Sequence, residues 1–325
     1  MTDTTDRAFT GGAYGMGLEN WFGGATSLFR RRYARDPSGA DVAVLGVPFD
    51  QAVTNRPGTR FGPRAVRTAS SAVAWPGGPW RWTDDPFAHL DVVDTGDLTY
   101  DIGDLPAFAA TLEARAAEII ATGAKLFTLG GDHFITYPIL RAHAARHGPL
   151  GLVQFDSHSD TWRDTGPRID HGTMFFRAVE EGIIDPARSV QVGIRSGNEE
   201  TFGLTTIDAD AVADHPPAAV AERIRQIAGP GPSYLTFDID VLDPAFAPGT
   251  GTPVCGGMTP NTAERILTGL AGVPFVGMDV VEVSPAYDVS EITALAAATM
   301  ALNMMGLFAV MAGAPGFGPR PTGAL

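Results

Sequence analysis

Cysteine is almost absent. Cys255 is the only one in 325 residues, so no intrachain disulfide can form and no cysteine-based zinc site is available. A reducing cytoplasm is the simplest compartment for such a chain. Basic residues are in deficit: 23 Lys and Arg stand against 37 Asp and Glu, a formal charge of −14. Nucleic acids and anionic membranes need a basic surface and are not expected as partners. A cationic small molecule is compatible with this balance. No stretch reaches the roughly 18 uninterrupted apolar residues of a bilayer span. The polar start, Met1 to Thr10, lacks the apolar core of a signal peptide. Phosphate-binding signatures are missing too. The first strand runs into Gly46-Val47-Pro48-Phe49-Asp50 rather than G-x-G-x-x-G, so a dinucleotide fold has no support, and no Gly-Lys-Ser/Thr loop occurs.

What is present is a composition with 44% hydrophobic and 18% charged residues, enough apolar side chains for a large core. Short apolar runs at 42–47, 125–129, 150–155, 189–194, 233–239 and 274–281 read as strands. Helical patterns fall at 105–122, 136–147, 217–228, 260–271 and 290–311. Strands too uniformly apolar to have a wet face, alternating with helices, indicate a mostly parallel sheet covered on both sides. The expectation is one three-layer α/β/α domain over 41–311. Residues 1–40, with the run Arg30-Arg31-Arg32, read as an irregular arm against a neighbouring subunit, the arginines lying in a solvated or interface patch. The Gly- and Pro-rich 312–325 read as a disordered tail.

In such sheets ligands bind beyond the carboxyl ends of the strands, and the chemistry-bearing residues stand there. Gly130-Gly131-Asp132-His133 follows one strand, and Asp156-Ser157-His158-Ser159-Asp160 follows the next. Asp238-Ile239-Asp240 ends a third. If the extended backbone persists, its alternation puts Asp156, His158 and Asp160 on one side, and Asp238 with Asp240. Crowded carboxylates raise one another's pKa unless a cation keeps them ionised. Two His and four Asp without sulfur suit a hard divalent ion better than structural zinc. Six ligands exceed one tetrahedral site and serve two ions if carboxylates bridge, which points to a binuclear hydrolase.

His171, on a loop opening a helix, is a candidate proton shuttle; a helix-cap histidine is the alternative reading. Glu282, ending the last strand, could pair with a guanidinium through two hydrogen bonds; an exposed strand-end Glu is its alternative. Asp243 before Pro244 reads as a turn residue. His143 and His147 share the i, i+4 spacing of a zincin helix, but Ala144 stands where the Glu is needed, so a solvated face is expected. Met300, Met304, Met305 and Met311 read as part of a buried C-terminal helix.

These motifs, with Asp243-Pro244 running on to Pro248-Gly249-Thr250-Gly251-Thr252-Pro253, resemble the ureohydrolase (arginase/agmatinase) family from about Asp41 to about Met305. The resemblance implies the arginase-like three-layer fold, two Mn²⁺ per subunit, and homo-oligomers, trimers or hexamers. It implies one ion on His133, Asp156, Asp160 and Asp238, and the other on His158, Asp156, Asp238 and Asp240. A bridging hydroxide would attack the guanidinium carbon to release urea and an amine, with His171 as proton shuttle and Glu282 as guanidinium-binding carboxylate.

This sequence departs from the family at Ser157, where Ala is usual, and at Ser159, often Thr; both lie between ligands. Trp162 replaces the Asn with which arginases read the α-amino acid end, which disfavours arginase. The segments 170–175, 234–240 and 276–287 look most like bacterial agmatinases, making agmatine, cleaved to putrescine and urea, the first substrate. Arg163 and Arg168 could instead meet a carboxylate tail, which keeps 4-guanidinobutyrate or 3-guanidinopropionate as the alternative. A non-catalytic member of the fold should have lost ligands, and none is lost. A single-zinc deacetylase on a related sheet would release acetate rather than urea.

Overall fold

The computed structural model describes residues 22–23, 26–74, 78–164, 166 and 169–321. In chain order the strands are β1 (Arg32–Tyr33), β2 (Val42–Val47), β3 (Val92–Asp97), β4 (Lys125–Gly130), β5 (Gly151–Phe155), β6 (Val190–Ile194), β7 (Thr205–Asp208), β8 (Ser233–Asp238) and β9 (Phe275–Val281). The helices are α1 (Gly62–Ser70), α2 (Leu105–Ala121), α3 (Thr136–His147), α4 (Met174–Glu180), α5 (Ala209–Asp214), α6 (Pro217–Ala228), α7 (Pro260–Gly269) and α8 (Ile292–Met311). The strands form one sheet in the order β1-β3-β2-β4-β9-β8-β5-β6-β7, and every pairing between them is parallel.

Successive side chains of a strand point to opposite faces, and the core divides accordingly. Val44, Phe127, Phe155, Phe237 and Val280 pack with α1, α6, α7 and α8 on one face. Leu45, Leu126, Leu152, Tyr234 and Val281 pack with α2, α3 and α4 on the other. That is the three-layer α/β/α arrangement. Helix α8 has the length and apolar character of a membrane span, but 78% of that stretch is buried inside the fold.

The strand and helix runs read from the sequence coincide with these elements to within one or two residues. Three strands escaped that reading because they are not uniformly apolar. Inside β3, Asp94 is fully buried and ionically paired with Arg67 of α1, at 2.8 Å from Nε and 2.9 Å from Nη2. A buried charge is tolerable when paired in this way, but the partner lies 27 residues away.

The described part of the N-terminal segment corrects the irregular-arm expectation. β1 pairs with β3, Leu28 and Phe29 are fully buried, and Arg30 and Arg31 are each only 4% exposed. The Leu28 amide donates to Asp94 Oδ2 at 2.8 Å, so this stretch completes the sheet edge of its own chain. The expected disordered tail also differs as far as Pro321. Phe317 stacks on Trp82 with ring centroids 5.3 Å apart, and Pro319 bridges the Trp82 backbone. Hydrogen bonds from the Thr83 amide to the Gly318 carbonyl (3.0 Å) and from the Arg320 amide to the Arg81 carbonyl (2.8 Å) hold the stretch together with that ring.

His143 was expected on a solvated face and is buried, 1% exposed. It fills space against β9, where a Cβ on Gly277 would collide with its Nε2. Burial pushes its pKa down to about 3 from an ordinary 6.5, with the charges near His147 and Lys125 adding to the effect. Below pH 6.5 the unfolded chain binds a proton here that the folded chain refuses, so stability falls as pH falls toward about 3. The slope should approach roughly 1.4 kcal/mol per pH unit. Urea denaturation across this range is expected to show a shallower acid loss in His143→Leu than in the wild type.

Candidate metal centre

The four adjacent central strands β4, β9, β8 and β5 each end in a loop that turns ligand-type side chains into one crevice. After β4 the chain must pass close to the backbone of Phe49, and a Cβ on Gly131 would collide with the Phe49 carbonyl oxygen. The Asp132 carboxylate then accepts from the amides of Phe134 (3.1 Å) and Ala52 (2.9 Å), which caps the turn and leaves His133 facing inward, fully buried.

The loops after β5 and β8 use one device twice. Asp156 Oδ1 accepts from the His158 amide at 2.6 Å, and Asp238 Oδ1 accepts from the Asp240 amide at 2.8 Å. Each is an Asx turn. The ligand pairs therefore converge because the first Asp folds the backbone over itself, not because extended backbone continues. Asp160 completes the β5 loop in the left-handed region, φ +53°, a strained conformation for a non-glycine residue that persists only where its surroundings hold it.

His133 Nδ1 lies 3.1 Å from Asp156 Oδ2, 3.0 Å from Asp160 Oδ2 and 3.3 Å from Asp238 Oδ2. Its other nitrogen, Nε2, is 2.8 Å from Thr236 Oγ1. Beside this group, His158 Nδ1 is 3.0 Å from Asp240 Oδ2 and 3.6 Å from Asp156 Oδ1. Asp240 Oδ1 is fixed by the Ser157 amide (3.0 Å) and hydroxyl (2.8 Å), so the Ser in place of Ala supplies an extra bond to a ligand. Gln154 Nε2 donates to Asp156 Oδ2 at 2.8 Å.

Burial and like charge together set the electrostatics of the cluster. Burial raises the Asp160 pKa to about 6, with the Asp156 charge adding to it. Burial, then Asp240 and Asp156, push Asp238 well above the carboxylate range. Burial alone would lower the His158 pKa, but Asp240 and Asp156 outweigh it and hold it at about 12. The carboxylates thus make a strongly negative field at the imidazoles. His133 Nδ1 has no hydrogen-bond geometry to any of its three neighbours. A buried ring nitrogen and carboxylate oxygens aimed at one point are a donor set for cations. Two such groups, His133-Asp156-Asp238 and Asp156-His158-Asp240, each have ligand atoms within 4.8 Å of one another. They share Asp156, and all six sequence-identified ligand candidates lie in the crevice.

His171 and Glu282 adjoin it. His171 Nδ1 is 2.9 Å from Glu282 Oε1, while Nε2 faces the Thr54 amide at 3.0 Å and hydroxyl at 2.7 Å. Burial presses the His171 pKa down, and the Glu282 hydrogen bond and charge outweigh it, holding it at about 9. The Thr54 N–H pulls the other way, since it favours a neutral ring whose Nε2 accepts. Glu282 is fully buried rather than an exposed strand end, with φ +65°. Its Oε1 also accepts from the His133 amide at 2.8 Å, and Oε2 has no hydrogen-bond partner among the described residues.

Over the cluster lies a cavity of about 260 Å³ lined by Thr54, His158, Asp160, Trp162, Asp170, His171, Gly172, Thr173, Asp238 and Thr252. Trp162 forms part of the wall and is 49% exposed. Arg163 does not line it: Nε pairs with Glu200 Oε1 at 3.2 Å, and the guanidinium lies over Phe202, 4.9 Å from the centroid. Arg168 lies outside the described residues. Asp243 acts as the expected turn residue, accepting from the amides of Ala245, Gly256 and Gly257. The sequence reading missed Thr54, 117 residues from His171, because a lone Thr carries no signal.

Fold and crevice define the class of protein: a three-layer α/β chain with a carboxylate–imidazole cluster, suited to divalent cations, at the carboxyl ends of its central strands. The arginase family model matches residues 40–306, and the chain belongs to that family. It is 50% identical to an agmatinase of Chromobacterium violaceum over 296 residues, 90% of this chain and 92% of that protein. A crystal structure of a hypothetical agmatinase from Burkholderia thailandensis superposes with a TM-score of 0.90 at 50% identity, covering 94% of this chain and 97% of that one. Proclavaminate amidino hydrolase from Streptomyces clavuligerus superposes with a TM-score of 0.85 at 35% identity, covering 90% and 99%.

Cations binding only the folded cluster should stabilise the fold by mass action, about 2.7 kcal/mol per site at a hundredfold excess over Kd. Thermal unfolding of chelator-stripped protein with and without Mn²⁺ measures this. An unchanged Tm across a saturating range would contradict the donor-set reading.

Proposed function

We propose that the protein hydrolyses agmatine to putrescine and urea with two Mn²⁺ ions held by His133, Asp156, His158, Asp160, Asp238 and Asp240. One observation carries the choice of substrate. Among the described residues the cavity wall presents no Lys or Arg, so no fixed cation stands there to meet a carboxylate tail, and the cationic tail of agmatine needs none. Arg163, the described candidate for reading a carboxylate, is committed to Glu200 and Phe202. The relatives named agmatinase support the same substrate.

The ions, when bound, would supply positive charge for the carboxylates and acidify water at the site. The rest falls to this chain. Asp170 and Trp162, both in the cavity wall, hold the ammonium end of the substrate by charge and by the ring face. His171 lines the same wall and is held between Glu282 and Thr54, which positions it to deliver the proton that the leaving amine nitrogen needs. Glu282 orients His171 through Oε1; it lies behind His171, fully buried and outside the cavity lining, so it acts on the substrate through that ring. The overall change balances: one water adds to the guanidinium carbon, the carbon–nitrogen bond to the tail breaks, and urea and a diamine leave. The same reading makes the enzyme a cytoplasmic homo-oligomer, supported by the one free cysteine and by exposed Val289, Ile292 and Leu295 around the start of α8.

Urea release by Mn²⁺-loaded protein from agmatine, arginine, 4-guanidinobutyrate and 3-guanidinopropionate tests the proposal. Agmatine is expected to be preferred, and preference for a guanidino acid would overturn the substrate assignment. Asp156→Ala should abolish nearly all turnover. His171→Ala should lower kcat by about 10²–10⁴-fold with metal content unchanged. Asp170→Asn should raise KM for agmatine with little loss of kcat, and Arg163→Ala should leave both near wild type.

A further inference from the structure

Behind His133, on the side away from the carboxylates, lies a polar network that the proposed reaction does not touch. His133 Nε2 is 2.8 Å from Thr236 Oγ1, and the Thr236 hydroxyl donates to Asp279 Oδ1 at 2.5 Å. Asp279 stands in the middle of β9, the strand next to β8, and is fully buried. Its other oxygen, Oδ2, accepts from Thr136 Oγ1 at 2.8 Å and from the Tyr234 hydroxyl at 2.9 Å. Three hydroxyls thus converge on one carboxylate in the sheet interior. Burial of an acid there is costly unless its lone pairs are met, and here all the donors are neutral.

The direction of these bonds follows from chemistry. Burial raises the Asp279 pKa, and three hydroxyls placed to donate, with His133 beyond them, oppose that and favour the ionised form. An ionised carboxylate has no proton to give, so each of the three hydroxyls donates to Asp279. Thr236 has one hydroxyl proton, and once it points at Asp279 only lone pairs remain on the side of His133. The His133 contact is then a bond in one direction, from Nε2–H to Thr236 Oγ1. A neutral imidazole with its proton on Nε2 has its lone pair on Nδ1, and Nδ1 is the atom within 3.0–3.3 Å of the Asp156, Asp160 and Asp238 carboxylates.

We propose that Asp279 is a positioning residue which, through Thr236, fixes the tautomer and ring orientation of His133 so that Nδ1 is the nitrogen offered to a cation. The inference rests on the metal reading of the cluster and adds a direction of control to it. Among the described residues His158 has no such backing: its Nδ1 contacts are to Ser157 and the carboxylates themselves, and its side chain is 23% exposed. The two halves of the cluster therefore differ in how firmly their histidine is prepared.

An Asn at position 279 keeps the shape but can turn its amide toward Thr236. The Thr236 hydroxyl is then free to donate to Nε2, and the Nδ1–H tautomer, useless to a cation, becomes accessible. Mn²⁺ titration of chelator-stripped protein, by calorimetry and by metal analysis after gel filtration, tests this. The wild type should bind about two ions per chain. Asp279→Asn should weaken one of them by roughly 10–100-fold, the usual cost of losing a partner behind a metal-bound histidine, and leave the other unchanged. Thr236→Val should reproduce the selective loss, and Thr236→Ser, which keeps the hydroxyl, should restore wild-type affinity. Equal affinity for both ions in Asp279→Asn and Thr236→Val, or parallel loss of both together with a lowered Tm, would overturn the proposal. Failure of the wild type to take up two ions would sink the metal reading itself, and that arm is read before any variant.

Discussion

The interaction on which the rest depends is the repulsion among four carboxylates brought together out of water. Asp156, Asp160, Asp238 and Asp240 are all at least nine-tenths buried, and buried like charges are unfavourable unless positive charge stands among them. The surrounding fold is organised to impose that crowding. Parallel strands in fixed register deliver their last residues to one edge, with Phe155 opposite Phe237 and Asp238 opposite Val281. Each loop then reverses within two residues on a carboxylate that caps its own turn. The frame holds ring nitrogens and carboxylate oxygens toward common points, which is the donor set that divalent cations need.

A sheet closed on both faces by helices makes such a frame possible. Each central strand is held by neighbours on both sides and by apolar packing above and below, so its end is placed without help from the loop it carries. Hydrogen bonds to specific atoms are added by the loops, Ser157 to Asp240 and Thr54 to His171, and by Gln154 of β5 to Asp156. Charge follows the same plan on a larger scale. A chain with a formal charge of −14 concentrates carboxylates at its crevice, while Arg163 is turned outward onto Glu200 and Phe202. Among the described residues the cavity wall is thereby left without Lys or Arg.

Much of this was legible in the sequence, for an identifiable reason. Strands covered on both faces must be apolar throughout, so their runs stand out, and residues directly after them must lie at one edge of a parallel sheet. That logic reached the six cluster residues, His171 and Glu282. It gave the wrong local geometry for the β5 and β8 loops, because extended alternation and an Asx turn both bring residues i and i+2 together. It missed β3 because the charge of Asp94 is matched by Arg67 only in three dimensions. It put His143 in solvent because nothing local reveals that Gly277 leaves a slot for its ring. Thr54, Thr236 and Asp279 were illegible for the same reason: single polar residues gain meaning only from distant partners. The tail was misjudged from composition, which does not register that one Phe317 has a Trp82 to rest on.

The position of α8 has a consequence for how the chain is made. It follows every strand in the sequence, yet fifteen of its residues are buried, and it packs on the same face as Phe127, Phe155 and Phe237. During synthesis the part of that face which α8 covers, beside α1, α6 and α7, stays exposed until α8 has left the ribosome, and β9, which fills the gap between β4 and β8, arrives only shortly before it. A long parallel sheet with a late central strand is slow to assemble and exposes sticky surface meanwhile. The chain therefore depends on shielding while it is made, and a change that slowed the docking of α8 would act on yield in the cell before it acted on the finished protein.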